Sequence, residues 1–284
     1  MAEVHHFTYG VFNPIAAYLV AFLGTFLGLL SAGRARGARS RGRRTRWLVI
    51  ASFSIGGAAV WLMHFVALLG FDVPASPVRY DGVLTLVSLG FAVSTVGAGL
   101  IVVGHGRRSS GKTAIAGMLT GVGVLAMHFT GMAAVHVQGT LRYRPVLVAA
   151  CVVIAVVAAT ATLWFAVTVR GWGRITGASA LVGLAVCGMH YTGMAAVQVE
   201  LSGPVPGGVS GLRPLVMIVP ITVVSAATIL GVALSALQAM TEEEFTDGTS
   251  RLAGPSWPRK LPVTRRTRGR RPAPHADREP VSSS

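Results

Sequence analysis

The chain has 284 residues, 52% of them hydrophobic and only 12% charged, with a formal net charge of +15. Soluble domains carry about 25% charged residues, so the composition excludes an ordinary soluble domain. The mean hydropathy of +0.62 excludes a disordered or coiled-coil chain. The basic residues lie between and after long uncharged runs, which argues against a nucleic-acid partner.

Residues 1–12 read as an extracytoplasmic segment that carries His5 and His6. Seven runs then reach the roughly 20 apolar residues that a bilayer core requires. They are Asn13–Ala32, Trp47–Phe71, Gly82–Val103, Thr113–Val137, Pro145–Val169, Ile175–Val199 and Pro214–Gln238, and none contains Asp, Glu, Lys or Arg. Asn13-Pro14 reads as a helix cap followed by proline in the first turn. Residues 239–284, rich in Pro, Arg and Ser, carry no hydrophobic period and read as a disordered basic cytoplasmic tail.

The loops at 33–46, 104–112 and 170–174 hold twelve Lys and Arg, and the segments on the opposite side hold four. The richer side is expected to be cytoplasmic, which puts the N-terminus outside and the C-terminus inside. No basic stretch precedes the first span, so that span is expected to stay in the membrane rather than act as a signal peptide. The predicted fold is an all-α membrane protein: a seven-transmembrane helix bundle over 13–238, embedded in the cell membrane.

The spans contain a repeat. Residues 117–137 read GMLTGVGVLAMHFTGMAAVHV and residues 179–199 read SALVGLAVCGMHYTGMAAVQV, with twelve identities at an offset of 62. A weaker copy at 53–73 keeps Met63-His64-Phe65 but has Val66 and Leu68 where the others have Thr and Met. Each period covers two helices, so the fold is expected to contain three parallel two-helix repeats. His64, His128 and His190 then fall at one depth on three parallel helices, 7 to 9 residues from the predicted span ends. At about 1.5 Å per residue that is roughly 10–14 Å below the outer boundary.

These three Met-His-aromatic motifs, with His5-His6-Phe7 and Asn13-Pro14 at the start, resemble the repeats of the MHYT domain, a bacterial integral-membrane sensor module. The resemblance covers about residues 5–240. It implies copper bound through Met and His residues, and a response to oxygen, carbon monoxide or nitric oxide. It also brings Met63, Met127 and Met189 forward as further ligands. Many family members carry a cytoplasmic cyclic-di-nucleotide synthase or phosphodiesterase. No such domain follows here, so a stand-alone, non-enzymatic module with a separate cytoplasmic signalling partner is expected.

The residues themselves point the same way. Positions i and i+4 share a helix face, so His128 with Met132, and His190 with Met194, each offer an imidazole and a thioether to one side. That soft-to-borderline set suits copper, above all Cu(I). Leu68 removes the thioether from copy one, and Cys187, on the same stripe as His190 and Met194, is a candidate substitute. Gly131 and Gly193 would let the ligand helices approach closely. Against a metal, each histidine could simply bond across helices to Thr130, Thr192 or Tyr191.

Three functions fit the pattern: a membrane sensor with a copper centre that binds a diatomic gas or follows redox state, a copper-handling or transport protein, and a haem-binding electron carrier. A retinal protein is excluded because the only lysines, Lys112 and Lys260, lie outside the spans. No phosphate loop, nucleophile elbow or zinc-protease motif is present.

Overall fold

The computed structural model describes residues 10–107, 109–201 and 209–217, with isolated positions from 219 to 230. Six successive helices are long and apolar enough to cross a membrane: α1 (Phe12–Gly37), α2 (Arg41–Leu68), α3 (Gly82–Gly104), α4 (Ser110–Ala133), α5 (Pro145–Thr168) and α6 (Trp172–Ala195). They correspond to the first six predicted spans. The seventh, Pro214–Gln238, opens on a single 3-10 turn, Pro214–Met217. Most of its remainder lies outside the described residues, as do the N-terminal segment with His5 and His6 and the 239–284 tail.

Helix α1 packs on α2 and α6, α3 on α2 and α4, and α5 on α4 and α6, so the six close into a ring. Within it the even-numbered helices are the inner ones. The apolar windows of α2, α4 and α6 are 78%, 61% and 50% buried, against 44%, 39% and 33% for α1, α3 and α5. Leu23, Leu86, Leu119, Val157 and Leu184 stand exposed on the outside. An apolar mantle of this extent is a lipid-facing surface rather than a water-facing one, and the chain is a multi-pass membrane protein.

Lipid gives helices little hydrophobic reason to associate, so close backbone packing must supply it. A Cβ added at Gly24 of α1 would meet the Ala59 backbone nitrogen of α2 at 2.5 Å. One added at Gly56 of α2 would meet the Ala92 carbonyl oxygen of α3 at 2.5 Å. The Gly-Gly-Ala-Ala stretch at 56–59 lies in a π-helical segment of α2, Phe53–Leu62. This wider turn is uncommon and often sits beside functional sites. Ordinary α-geometry returns at Met63–Leu68.

Helix starts follow local chemistry. The Asp81 side chain accepts from the Val83 and Leu84 amides at 2.8 and 2.9 Å and caps α3. Ser40 accepts from the Arg43 amide and starts α2 six residues before the predicted span. Asn13 is not the cap expected of it. It lies inside the first turn, buried, with Nδ2 donating to the Val66 carbonyl of α2 at 3.4 Å.

The predicted spans through Val137 and Val199 end early. Helices α4 and α6 stop at Ala133 and Ala195, and the chain continues as short strands that the all-helical reading did not contain. These are β1 (Arg79–Tyr80), β2 (Val135–His136), β3 (Gly139–Tyr143) and β4 (Val197–Leu201), with β1 antiparallel to β2 and β3 antiparallel to β4. Hydropathy cannot separate a short apolar strand from the end of a helix. Alternation can: in β4, Val197 and Val199 are buried, while Gln198 and Glu200 are not.

Replacing Gly24 by Leu should overpack the α1–α2 contact and cost about 1–3 kcal/mol. A thermal-unfolding scan in detergent should show a midpoint several degrees lower, whereas Gly90→Leu, which meets open space, should leave it unchanged.

Candidate metal centre

Helices α2, α4 and α6 each bring one histidine to the centre of the ring, four or five residues before their ends at Leu68, Ala133 and Ala195. The site therefore lies about 6–8 Å from the helix ends, shallower than the predicted spans placed it. His64, His128 and His190 are at most 1% exposed.

The three imidazoles meet as a propeller. Ring centroids lie 5.0 Å (His64–His128), 4.9 Å (His64–His190) and 5.4 Å (His128–His190) apart, with interplanar angles of 80–87°. The Nδ1 atoms point at one another: His64 to His190 is 3.0 Å and His128 to His64 is 3.2 Å. One ligand nitrogen from each residue lies within 4.8 Å of the other two, and among the described residues this converging group contains no cysteine and no carboxylate.

A hydrogen-bond reading does not satisfy this arrangement. A neutral imidazole has one N–H and one lone pair. His64 Nδ1 faces two neighbours with a single proton or a single lone pair. The Nε2 atoms of His64 and His128 are buried without a hydrogen-bond partner. A cation can take all three Nδ1 lone pairs at once. Three nitrogens each bound to one ion at 2.0–2.1 Å stand about 3.3–3.6 Å apart, close to the two Nδ1 separations of 3.0 and 3.2 Å that His64 makes. The residues fit a bound transition metal.

The motif's other letters have visible jobs. The aromatic residue after each histidine packs edge-on against it, with centroids at 5.0 Å for Phe65, 5.1 Å for Phe129 and 5.1 Å for Tyr191. The glycines three positions after a histidine receive the neighbouring ring. A Cβ at Gly131 would meet His64 Nε2 at 2.5 Å, and one at Gly193 would collide with His128 Nε2. These glycines make room for imidazoles, a closer task than the general helix approach expected of them. Thr192 Oγ1 donates to Gly188 of its own helix at 2.7 Å and does not serve a histidine.

Met63, Met127, Met132, Met189 and Met194 are all buried on the histidine helices. Cys187 is buried on α6 but outside the converging group. Cys151 donates from Sγ to the carbonyl of Met189 at 3.4 Å and ties α5 to the residue before His190. His136 pairs with Arg79 in the β1–β2 ribbon, and His105 reaches Thr45 at the far, arginine-rich end.

A second aromatic layer lies outside the Met-His-aromatic motif. Arg79-Tyr80 and Arg142-Tyr143 repeat at an offset of 63, each just before a helix. Tyr80 lies over Phe65 at 6.5 Å and Tyr143 over Phe129 at 5.4 Å. The Tyr80 hydroxyl donates to the carbonyl of Leu68, the last residue of α2, at 3.3 Å, and burial pushes its pKa far above the usual phenol range. Its only mark in the sequence is this dipeptide repeat, far shorter than the 21-residue one.

Three consecutive segments, 57–116, 121–178 and 183–253, match the family described as MHYT, bacterial signalling protein N terminal repeat. The chain belongs to the MHYT family. It is 37% identical over 233 residues to a Pseudomonas aeruginosa protein named bifunctional diguanylate cyclase/cyclic di-GMP phosphodiesterase MucR, covering 78% of this chain and 34% of that one. It is 33% identical over 206 residues to the cyclic di-GMP phosphodiesterase NbdA of the same organism, covering 70% of this chain and 26% of that one. Over 209 residues it is 24% identical to the signaling protein YkoW of Bacillus subtilis, covering 71% and 26%. The chain thus spans about a third or less of the length of these relatives. No solved structure matches it. Each matched segment contains one motif histidine, and the three form one cluster.

Because Gly131 and Gly193 hold space for imidazoles, Gly131→Ala and Gly193→Ala should each lower transition-metal affinity about 10- to 100-fold, the range seen when residues supporting a metal ligand are changed. A competition titration measures this. Gly188→Ala, which meets open space, should titrate like the parent.

Proposed function

We propose that this chain is a membrane sensor module whose copper ion is held near the outer face by His64, His128 and His190. The observation that carries the proposal is the convergence of three histidines in a buried centre, where the single proton or lone pair of His64 Nδ1 cannot serve both neighbours. The MHYT repeats and the signalling relatives support the sensory role. The positive-inside distribution supports an outside N-terminus, which would put the triad near the outer face and the arginine-rich loops in the cytoplasm.

The chain's own residues divide the work. The histidines supply three borderline nitrogen ligands. Met132 and Met194, one turn after His128 and His190, are proposed to add soft thioethers, with Met63, Met127 and Met189 as the further candidates the family brings forward. Copper, when bound, would supply a redox-active centre with affinity for oxygen, carbon monoxide or nitric oxide. A cavity of about 30 Å³ inside the bundle is lined by Thr25, Ala59, Val96, Ala155 and Met189 among others. A single water needs about 10–15 Å³ on this measure, so the space suits one diatomic molecule next to the residue that precedes His190. The proposed role is non-enzymatic in this region, with output through a cytoplasmic signalling partner.

The test is copper content per chain in detergent-purified protein after Cu(I) loading. The parent should bind one copper. The H64A/H128A/H190A variant, equally helical by circular dichroism, should lose it, and M132L/M194L should bind Cu(I) at least about tenfold more weakly while keeping Zn(II) affinity. A parent that takes up no copper would sink the copper reading. A haem absorbance on the purified protein would favour the electron-carrier reading in its place.

A further inference from the structure

At the arginine-rich end, opposite the histidines, a groove of about 740 Å³ opens beside α1, with residues of α2 and α6 on its walls. Arg34, Arg36 and Arg170 line it together with Trp47 and Trp172, and no acidic side chain is among the described residues that do so. Toward the membrane interior the lining turns apolar, with Phe26, Leu30 and Ile175.

The groove is held open by specific contacts. Arg34 lies over the Trp47 ring, 4.9 Å from its centroid. The Arg36 guanidinium donates to the carbonyls of Ala166 and Val169 and ties the end of α1 to the end of α5. Gly171, with φ +84°, turns the chain sharply between α5 and α6, a conformation that favours glycine. Trp172 then projects, 71% exposed, beside Phe26 at 5.9 Å.

A concentration of guanidinium groups at one end and apolar surface at the other selects an amphiphile with an anionic head. Guanidinium is suited to phosphate oxygens, tryptophan gathers at the headgroup level of a bilayer, and basic pockets between helices collect anionic lipid headgroups. We propose that this groove binds one anionic phospholipid, with its phosphate against Arg34 and Arg170 and an acyl chain along Phe26 and Ile175. The proposal does not depend on any metal at the histidines.

The test is native mass spectrometry of the full chain released from nanodiscs of mixed phosphatidylglycerol and phosphatidylcholine. The parent should retain one phosphatidylglycerol in preference to phosphatidylcholine. R34Q/R170Q should lose that preference at least about tenfold, because two charge-assisted contacts to the phosphate are removed, while R34K/R170K keeps most of it. R39Q/R41Q makes the same charge change at exposed residues outside the groove and should behave as the parent. Equal retention of the two lipids by the parent would overturn the proposal. So would an equal loss in R39Q/R41Q, which would mean diffuse surface charge, or displacement of the lipid by millimolar inorganic phosphate, which would mean a free-anion site.

Discussion

Three imidazoles meeting edge to edge inside a membrane protein set the terms for everything around them. Each brings a nitrogen that needs a partner, and the low dielectric makes an unmet partner costly. Three helices must therefore approach closely at one level, stay in register, and leave space for rings rather than for Cβ atoms. Gly131 and Gly193 provide that space against His64 and His128. The inner position of α2, α4 and α6 follows, and α1, α3 and α5 become the outer staves that face lipid.

The same requirement accounts for the second residue of the motif. An imidazole on a long helix can turn about χ1 and χ2, and the flanking Phe65, Phe129 and Tyr191 rings meet their histidines edge-on at nearly equal distances. Behind two of these rings stand Tyr80 and Tyr143 from the strands. The orientation of the centre is thus set through two layers of aromatic packing, the outer of which does not come from the transmembrane helices.

Much of this is legible in the chain and some is not. Six spans, their order and the common depth of three histidines follow from hydropathy, the bilayer's thickness and a 62–64 residue offset, because those signals are long and mutually reinforcing. The strands are hidden because Val197-Gln198-Val199 continues an apolar run without a break, and only its alternation marks the change of structure. Asn13 has the composition of a cap but reaches across to Val66 instead, since the helix is capped two residues earlier, at Val11, which puts Asn13 within the first turn. The π segment at Phe53–Leu62 carries no compositional mark beyond its small residues, yet it immediately precedes Met63-His64, in the copy whose sequence departs most from the other two. Cys151 could not be weighed from sequence, because its contact is with a main-chain carbonyl of another helix.

The strands at the histidine end join the three histidine helices in sequence. The chain leaving α2 forms β1, which pairs with β2 at the end of α4. The chain then forms β3, which pairs with β4 at the end of α6. Leu212 adds a bridge on the other edge of Tyr80. The result is two main-chain ribbons at the histidine end, one between the segments that follow α2 and α4 and one between those that follow α4 and α6. Helix α4 belongs to both, so a shift of α4 strains the hydrogen bonds toward each of the other two ligand helices.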